Sequence, residues 1–229
     1  MTDNHIHIGT FYNTYYDAKT VFGVLKESGV DEFYYSSTTS GMAFNTALDL
    51  MSIYEDIKKE ITEAQAVAES LSLKAHPLYW VIPELHYTGL EVQTVLQEIP
   101  YEGFKLHPRA NKWDLQNSQT RDLAHGVFKT ADELKLPVLI HTGYDDDRAD
   151  LFEEFFASAP NAKIILAHCR PLETTLRLLG EYKNVFCDTA FVSRRDIKKI
   201  CSAGLTDKIL FGSDFPITFF LYHAYGKWL

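Results

Sequence analysis

Eight short apolar runs, separated by longer amphipathic stretches in a chain of 229 residues, predict an α/β protein and, within that class, a closed (β/α)8 TIM barrel. Three observations carry this. Strand-like runs alternate with helix-like segments, the pattern of a parallel sheet. Runs such as "VLI" (138–140) and "IIL" (164–166) are apolar on consecutive residues, as expected of strands covered on both faces. The length and a 46% hydrophobic content suit one barrel domain spanning residues 1–229, and no linker, low-complexity tract or internal repeat marks a boundary.

The elements follow in order. The first strand is "NHIHIG" (4–9), followed by the helical segment "YYDAKTVFGVLKESG". The second is "DEFYYSS" (31–37), and the stretch from Gly41 to about Ser72 is too long for one globular helix, so two helices or a helix with an insertion are expected. The third strand, "KAHPLYWVI" (74–82), leads to "TGLEVQTVLQEI", and the fourth, "GFKLHP" (103–108), to "SQTRDLAHGVFKTADELK". The fifth, "PVLIHTG" (137–143), precedes "RADLFEEFFASA", and the sixth, "AKIILAHC" (162–169), precedes "PLETTLRLLGEY". "NVFCDTA" (184–190) and "RRDIKKICSAG" form the seventh unit, and "KILFGSD" (208–214) is the eighth strand. Only "FPITFFLYHAYGKWL" follows, so the eighth helix is expected to be short or incomplete, with truncation or cover by a neighbouring subunit as the two explanations. No GxGxxG follows the first strand, which weakens a dinucleotide-binding reading.

Composition narrows the function. The net charge is -9 and no stretch concentrates Lys and Arg, which disfavours a nucleic-acid partner. The N-terminus has no basic segment leading into an apolar one, and no apolar run is long enough to span a bilayer, so a soluble cytoplasmic protein without a membrane partner is expected. Cys169, Cys187 and Cys201 are odd in number and lack CxxC spacing, so neither a disulfide framework nor a thiolate zinc site is indicated. Any metal would be held by His and carboxylate.

Candidates for such a site stand at strand ends. Residues two apart on a strand share a face, so His5 and His7 project together while Ile6 and Ile8 point the other way. An isolated HxH is more often chance, but Lys105, His107, His141, His168 and Asp214 also end buried-looking strands. A histidine after several buried aliphatics costs about 1 to 3 kcal/mol unless its nitrogens are satisfied. Two on consecutive strands, with an aspartate after the last, indicate convergence on one point. Neutral imidazoles and a carboxylate suit Zn²⁺, with Fe²⁺, Mn²⁺ or Co²⁺ as substitutes. His125 reads as a helix residue, and His76 and His223 as structural. His86 reads as structural before it reads as substrate-binding, Asp188 as a mouth residue or a helix cap, and Cys169 as a small packing residue.

The ordered motifs "DNHIHIG", "GFKLHP", "VLIHTG", "ILAHC" and "FGSDFP", covering nearly the whole chain, resemble the amidohydrolase superfamily. The resemblance is strongest to the metal-dependent branch that includes aminocarboxymuconate-semialdehyde decarboxylase. It implies that His5, His7 and His141 are metal ligands, that Asp214 is a ligand or proton acceptor, and that His168 is a second-metal ligand or a residue polarising substrate. Lys105 is then either a carbamylated bridge between two metals or, with Arg109 and His107, a substrate contact around a single metal. A nuclease branch shares the HxH opening but places a glutamate on the fourth strand, where this chain has "GFKLHP".

The chemistry so implied is attack of a metal-activated water on an amide, lactone or ester carbonyl of a small molecule, with Asp214 moving the proton and His168 polarising the carbonyl. There is no GxSxG to suggest covalent serine catalysis. Decarboxylation of an aromatic or unsaturated acid is the alternative, and an inert metal-binding scaffold the second alternative. A homo-oligomer is left open.

Overall fold

The computed structural model describes residues 1–42 and 50–225. β1 (Thr2–Phe11) pairs in parallel with β3 (Glu32–Ser37), which pairs with β4 (Lys74–Pro77). β5 (Tyr79–Trp80) continues the same stretch and begins a second parallel series through β6 (Phe104–Leu106), β7 (Pro137–His141), β8 (Lys163–Ala167), β9 (Val185–Asp188) and β10 (Ile209–Leu210). Backbone hydrogen bonds join the two series at both seams. The Leu78 N–H donates to Tyr35 O at 2.7 Å; across the other seam Asn4 N–H reaches Phe211 O at 2.9 Å, Asp214 N–H reaches His5 O at 2.8 Å and His7 N–H reaches Phe215 O at 2.8 Å. With β4 and β5 counted as one strand, the ring contains the eight strands read from the sequence, and the barrel is closed.

Alternation along each strand divides the side chains into two layers. Ile6, Ile8, Phe33, Tyr35, Phe104, Leu106, Val138, Ile140, Ile164, Leu166, Val185 and Cys187 face the helices and join the main core. Leu78, Leu139, Ile165 and Ala167 form a separate interior cluster, closed by Tyr34, Phe186 and Leu210. This apolar plug fills the barrel and leaves its C-terminal mouth to the polar residues next along the same strands.

The helices mostly lie where the amphipathic segments place them. α1 (Ala18–Glu27) starts at Asp17, whose carboxylate accepts from Thr20 N–H. The long segment divides into α2 (Thr39–Met42) and α3 (Leu50–Ser70), with residues 43–49 outside the described set. α4 (Pro83–Tyr87), α5 (Val92–Glu98), α6 (Ser118–Leu134), α8 (Leu172–Glu181) and α9 (Arg194–Ser202) follow their strands. α10 (Ile217–Tyr225) follows β10, and the side chain of His223 lies outside the described set. "RADLFEEFFASA" departs from expectation, because only Glu153–Phe156 is helical (α7). Phe152, Phe155 and Phe156 all pack around Phe128, and that contact is met by one turn within a loop. A three-residue strand, β2 (Thr14–Tyr16), folds back on the end of β1 as a hairpin that the sequence did not announce. Among the described residues no helix is long and apolar enough to cross a membrane.

Candidate metal centre at the barrel mouth

The alternation that buries Ile6 and Ile8 turns His5 and His7 into the barrel mouth, and it does the same for Lys105 on β6, His141 on β7 and Asp188 on β9. His168 and Asp214 follow β8 and β10 with φ of 69° and 55°, in the left-handed region that non-glycine residues seldom occupy. Such a conformation costs on the order of 1 to 3 kcal/mol and is retained where the surroundings enforce it. Gly212 makes room for the last strand. A Cβ there would lie 2.9 Å from Asp188 Cβ and 3.1 Å from His5 Cβ.

These side chains converge. His5 Nε2 and His7 Nε2 are 3.1 Å apart, and Asp214 Oδ1 lies 3.6 Å from the first and 3.0 Å from the second. His168 Nε2 is 3.9 Å from Asp214 Oδ2 and 3.1 Å from His141 Nδ1. One donor atom each from His5, His168 and Asp214 can be chosen within 4.8 Å of one another. His141 approaches the group through His168, and its other nitrogen faces Asp147 at 3.5 Å. The Lys105 ammonium, 1% exposed, donates to His5 Nε2 at 3.1 Å.

The opposite nitrogens settle the protonation of two rings. His5 Nδ1 meets Asp188 Oδ2 at 2.7 Å, His7 Nδ1 faces Ser36 O at 3.4 Å, and His168 Nδ1 faces Ala190 O at 3.1 Å. A carboxylate or carbonyl oxygen only accepts, so Nδ1 of His5 and of His168 carries the proton and their Nε2 atoms present lone pairs inward; His7 Nδ1 also meets the Ser36 hydroxyl at 3.1 Å, which can donate or accept, and its Nε2 lies 3.0 Å from Asp214 Oδ1. Two imidazole lone pairs and a carboxylate then face one small space, a donor set that attracts positive charge, as the Lys105 ammonium beside His5 shows. The set therefore fits a divalent metal, with acceptors behind the imidazoles fixing their orientation.

The electrostatics agree. Burial, reinforced by the Lys105 charge, holds His5 well below the ordinary imidazole value; burial also lowers His168, although Asp214 and Asp188 pull it back. His107 and His141 lie well below as well, first through burial and then through each ring's neighbouring histidine. Burial pushes Lys105 down to about 8 and Asp188 up to about 6. It would raise Asp214 too, but His5, His7 and His168 override it and hold that carboxyl well below the usual range. Neutral imidazoles around an ionised carboxylate are the protonation states a metal requires.

Above the cluster opens a cavity of about 500 Å³. Trp80, His107 and His141 form a continuous stack on one wall, with centroids 5.5 and 3.7 Å apart. Arg109, exposed, and Arg170, half-buried, line it with Phe191 and Tyr12. All the residues singled out at strand ends thus border one space. Asp188 is no helix cap: its Oδ1 accepts from the His168 and Ala190 N–H groups while Oδ2 holds His5, and Ser193 caps α9. His86 is bonded to Tyr79 OH and Leu90 O, away from the cavity; His76 sits between Glu32 and Glu102; His125 is exposed on α6.

Four contributors escaped the sequence reading. Asp3 Oδ1 accepts from His5 N–H and Ser213 N–H, tying the first strand to the last, and a register shift between Asp3 and Ile6 breaks the alternation that could have announced it. Trp80 ends β5, and Arg170 stands three residues beyond the end of β8. Asp147 sits in a loop with no periodic signal.

Residues 90–228 match the sequence model of the amidohydrolase family. The chain belongs to this family. No curated protein matches this amidohydrolase at the level of sequence. Its fold resembles that of 5-carboxyvanillate decarboxylase from Novosphingobium aromaticivorans, complexed with manganese and 4-hydroxy-3-methoxy-5-nitrobenzoic acid: TM-score 0.57, 13% identity, 85% of this chain and 69% of that one. It also resembles a probable 2-pyrone-4,6-dicarboxylic acid hydrolase from Acinetobacter baumannii (TM-score 0.59, 10% identity, 99% and 87% covered) and 2,6-dihydroxybenzoate decarboxylase from Rhizobium (0.56, 14%, 94% and 88%). At these identities the likeness is one of fold.

Proposed function

We propose that this amidohydrolase, acting as one barrel domain over residues 1–229, holds a single divalent cation between His5, His7 and Asp214, with His141 and His168 on its open side, and hydrolyses an amide, lactone or ester of a small anionic substrate. The observation that carries the proposal is the convergence of buried imidazole nitrogens on the Asp214 carboxylate beneath an open cavity. Bound there, Zn²⁺, Mn²⁺ or Fe²⁺ would supply Lewis acidity, activating water and neutralising charge that develops on a substrate oxygen.

The chain's own groups do the rest. Asp214 Oδ1 is engaged with His7, so Oδ2 is the oxygen that takes the proton from water and returns it to the departing group. His168 Nε2, 3.9 Å from that oxygen, would offer its lone pair to the cation. The Trp80–His107 wall orients a flat molecule, while Lys105, Arg109 and Arg170 attract its anionic part. The same aromatic wall and cations favour one second reading, decarboxylation of an aromatic or unsaturated acid. The manganese and the nitrobenzoic acid held by the carboxyvanillate decarboxylase support including Mn²⁺ and aromatic acids in any trial.

The test is elemental analysis of untagged protein, with about one metal per chain expected, followed by turnover on lactones, amides, esters and aromatic acids. Acid release without carbon dioxide supports hydrolysis, and carbon dioxide release replaces it with the second reading. Full metal occupancy with no turnover on any member would favour a scaffold, and two metals per chain bridged through Lys105 would overturn the single-cation site.

A further inference from the structure

We infer that Tyr12, at the tip of the β1–β2 hairpin, completes an apolar subsite on the rim of the cavity, which receives an aryl or alkyl group of the substrate beyond the reacting carbonyl. Tyr12 is the first of the two residues that link Phe11 to Thr14 in the hairpin, and its φ is 52°. Gly or Asn ordinarily fills such a place, because a bulky side chain there is strained. The ring is also 62% exposed, so burial within the folded chain does little to offset that strain. A costly conformation, kept by an exposed aromatic residue on the wall of the candidate site, points to a ligand.

The hairpin is fixed to the cluster through both of its neighbours. β1 carries His7 and then leaves the barrel at Gly9, whose φ is 88° and where a Cβ would lie 2.6 Å from Ser37 Oγ and 2.8 Å from Thr39 Oγ1. Thr39 Oγ1 accepts from Thr10 N–H at 2.9 Å and donates to Glu60 Oε1 at 2.8 Å, while the Ser37 hydroxyl donates to Glu60 Oε2. α10, which follows Asp214, sets Phe220 perpendicular to Phe11, with centroids 5.3 Å apart, and nearly parallel to Tyr12 at 6.3 Å. Phe11, Tyr12, Ile217 and Leu221 thereby line the same cavity as Asp214 and Trp80. This apolar surface is assembled before a ligand arrives, so little freedom is lost in ordering it. Phe220 is a positioning residue that acts through Phe11 and Tyr12.

The inference rests on the reading of the cavity as a substrate site, and its test follows binding rather than turnover. The sodium salts of 4-phenylbutyrate and butyrate, which differ by a phenyl ring, are titrated calorimetrically into full-length protein, both Zn²⁺-loaded and chelator-treated. Phenylbutyrate is expected to bind about 10-fold more tightly. Tyr12→Gly removes the ring and suits the backbone, so it is expected to lose most of that preference, to leave butyrate binding unchanged and to keep the wild-type urea midpoint. Phe220→Ala should lose part of the preference, and Tyr12→Phe should retain it. Equal binding of the two acids by wild-type protein, or binding of neither, overturns the inference. So does an unchanged preference in Tyr12→Gly, which would place the phenyl group against Trp80 alone. Sedimentation of the same proteins tests the other use of an exposed ring: a wild-type dimer that Tyr12→Gly dissociates, with the preference intact, assigns Tyr12 to a subunit contact and overturns the inference. Absent metal or absent turnover refutes the proposed hydrolysis, whereas ring-dependent binding of phenylbutyrate still supports the subsite.

Discussion

Asp188 and Ala190 O each take the outward proton of one imidazole, and Ser36 holds the outward nitrogen of a third, so the identity of the mouth depends on residues that never touch the central space. Asp214 is the one carboxylate among the inward groups, and it is held ionised by the histidines around it. Asparagine keeps an oxygen able to coordinate but is a far weaker base. Asp214→Asn is therefore expected to retain part of the metal and the fold while lowering turnover about 100-fold or more, read from kcat and metal content on one preparation. Wild-type kcat in that variant would remove Asp214 from proton transfer. His168, whose Nε2 is 3.9 Å from Asp214 and 3.1 Å from His141, is expected to matter to metal as well as to turnover, so His168→Ala should lower both. Full metal occupancy with lost turnover would restrict it to a contact with the substrate.

At the scale of elements, the eight apolar runs became the eight barrel strands because consecutive apolar residues have one use here, burial on both faces of a parallel sheet. The mouth was legible for the same reason: His5, Lys105, His141 and Asp188 fall on the interior side of strands whose alternate residues are core. Loops gave no such periodicity. Asp147 and the β2 hairpin went unread, and α7 was read too long because "LFEEFF" has a helical spacing that a cluster around Phe128 satisfies in a single turn. Where a helix start carried a capping residue, the sequence was more exact. Asn117 precedes α6, and its side-chain oxygen accepts from the Gln119 and Thr120 N–H groups at 2.9 and 3.4 Å. Asn117→Ala is expected to destabilise the protein by about 1 kcal/mol in urea unfolding, with catalysis unchanged. A loss within error of zero would show that the first turn of α6 is held by its packing instead.

For the whole molecule the buried mouth makes stability depend on pH. His5, His107, His141 and His168 have folded-state pKa values below the ordinary imidazole value, whereas in the unfolded chain they take up protons near pH 6.5. Below that pH the unfolded state binds more protons, so stability falls as the pH drops. Asp3 and Asp188, both pushed up to about 6 by burial, act in the opposite direction between about pH 4 and 6, because there the folded state holds the extra protons. Two carboxyls oppose four imidazoles, so the loss on acidification is reduced without being reversed. Asp214, whose pKa is depressed, adds its own loss only below about pH 4. A bound cation would steepen the profile, because it stabilises by about 2.7 kcal/mol at a hundred times its Kd and requires the neutral imidazoles that acid removes. Chelator-treated protein is therefore expected to show a urea midpoint that declines from about pH 7.5 to about pH 5, with a steeper decline when Zn²⁺ or Mn²⁺ is present. A midpoint that is flat or rises on acidification would mean that these imidazoles are already protonated in the folded chain, and cationic rings could not form the neutral donor set on which the metal centre depends.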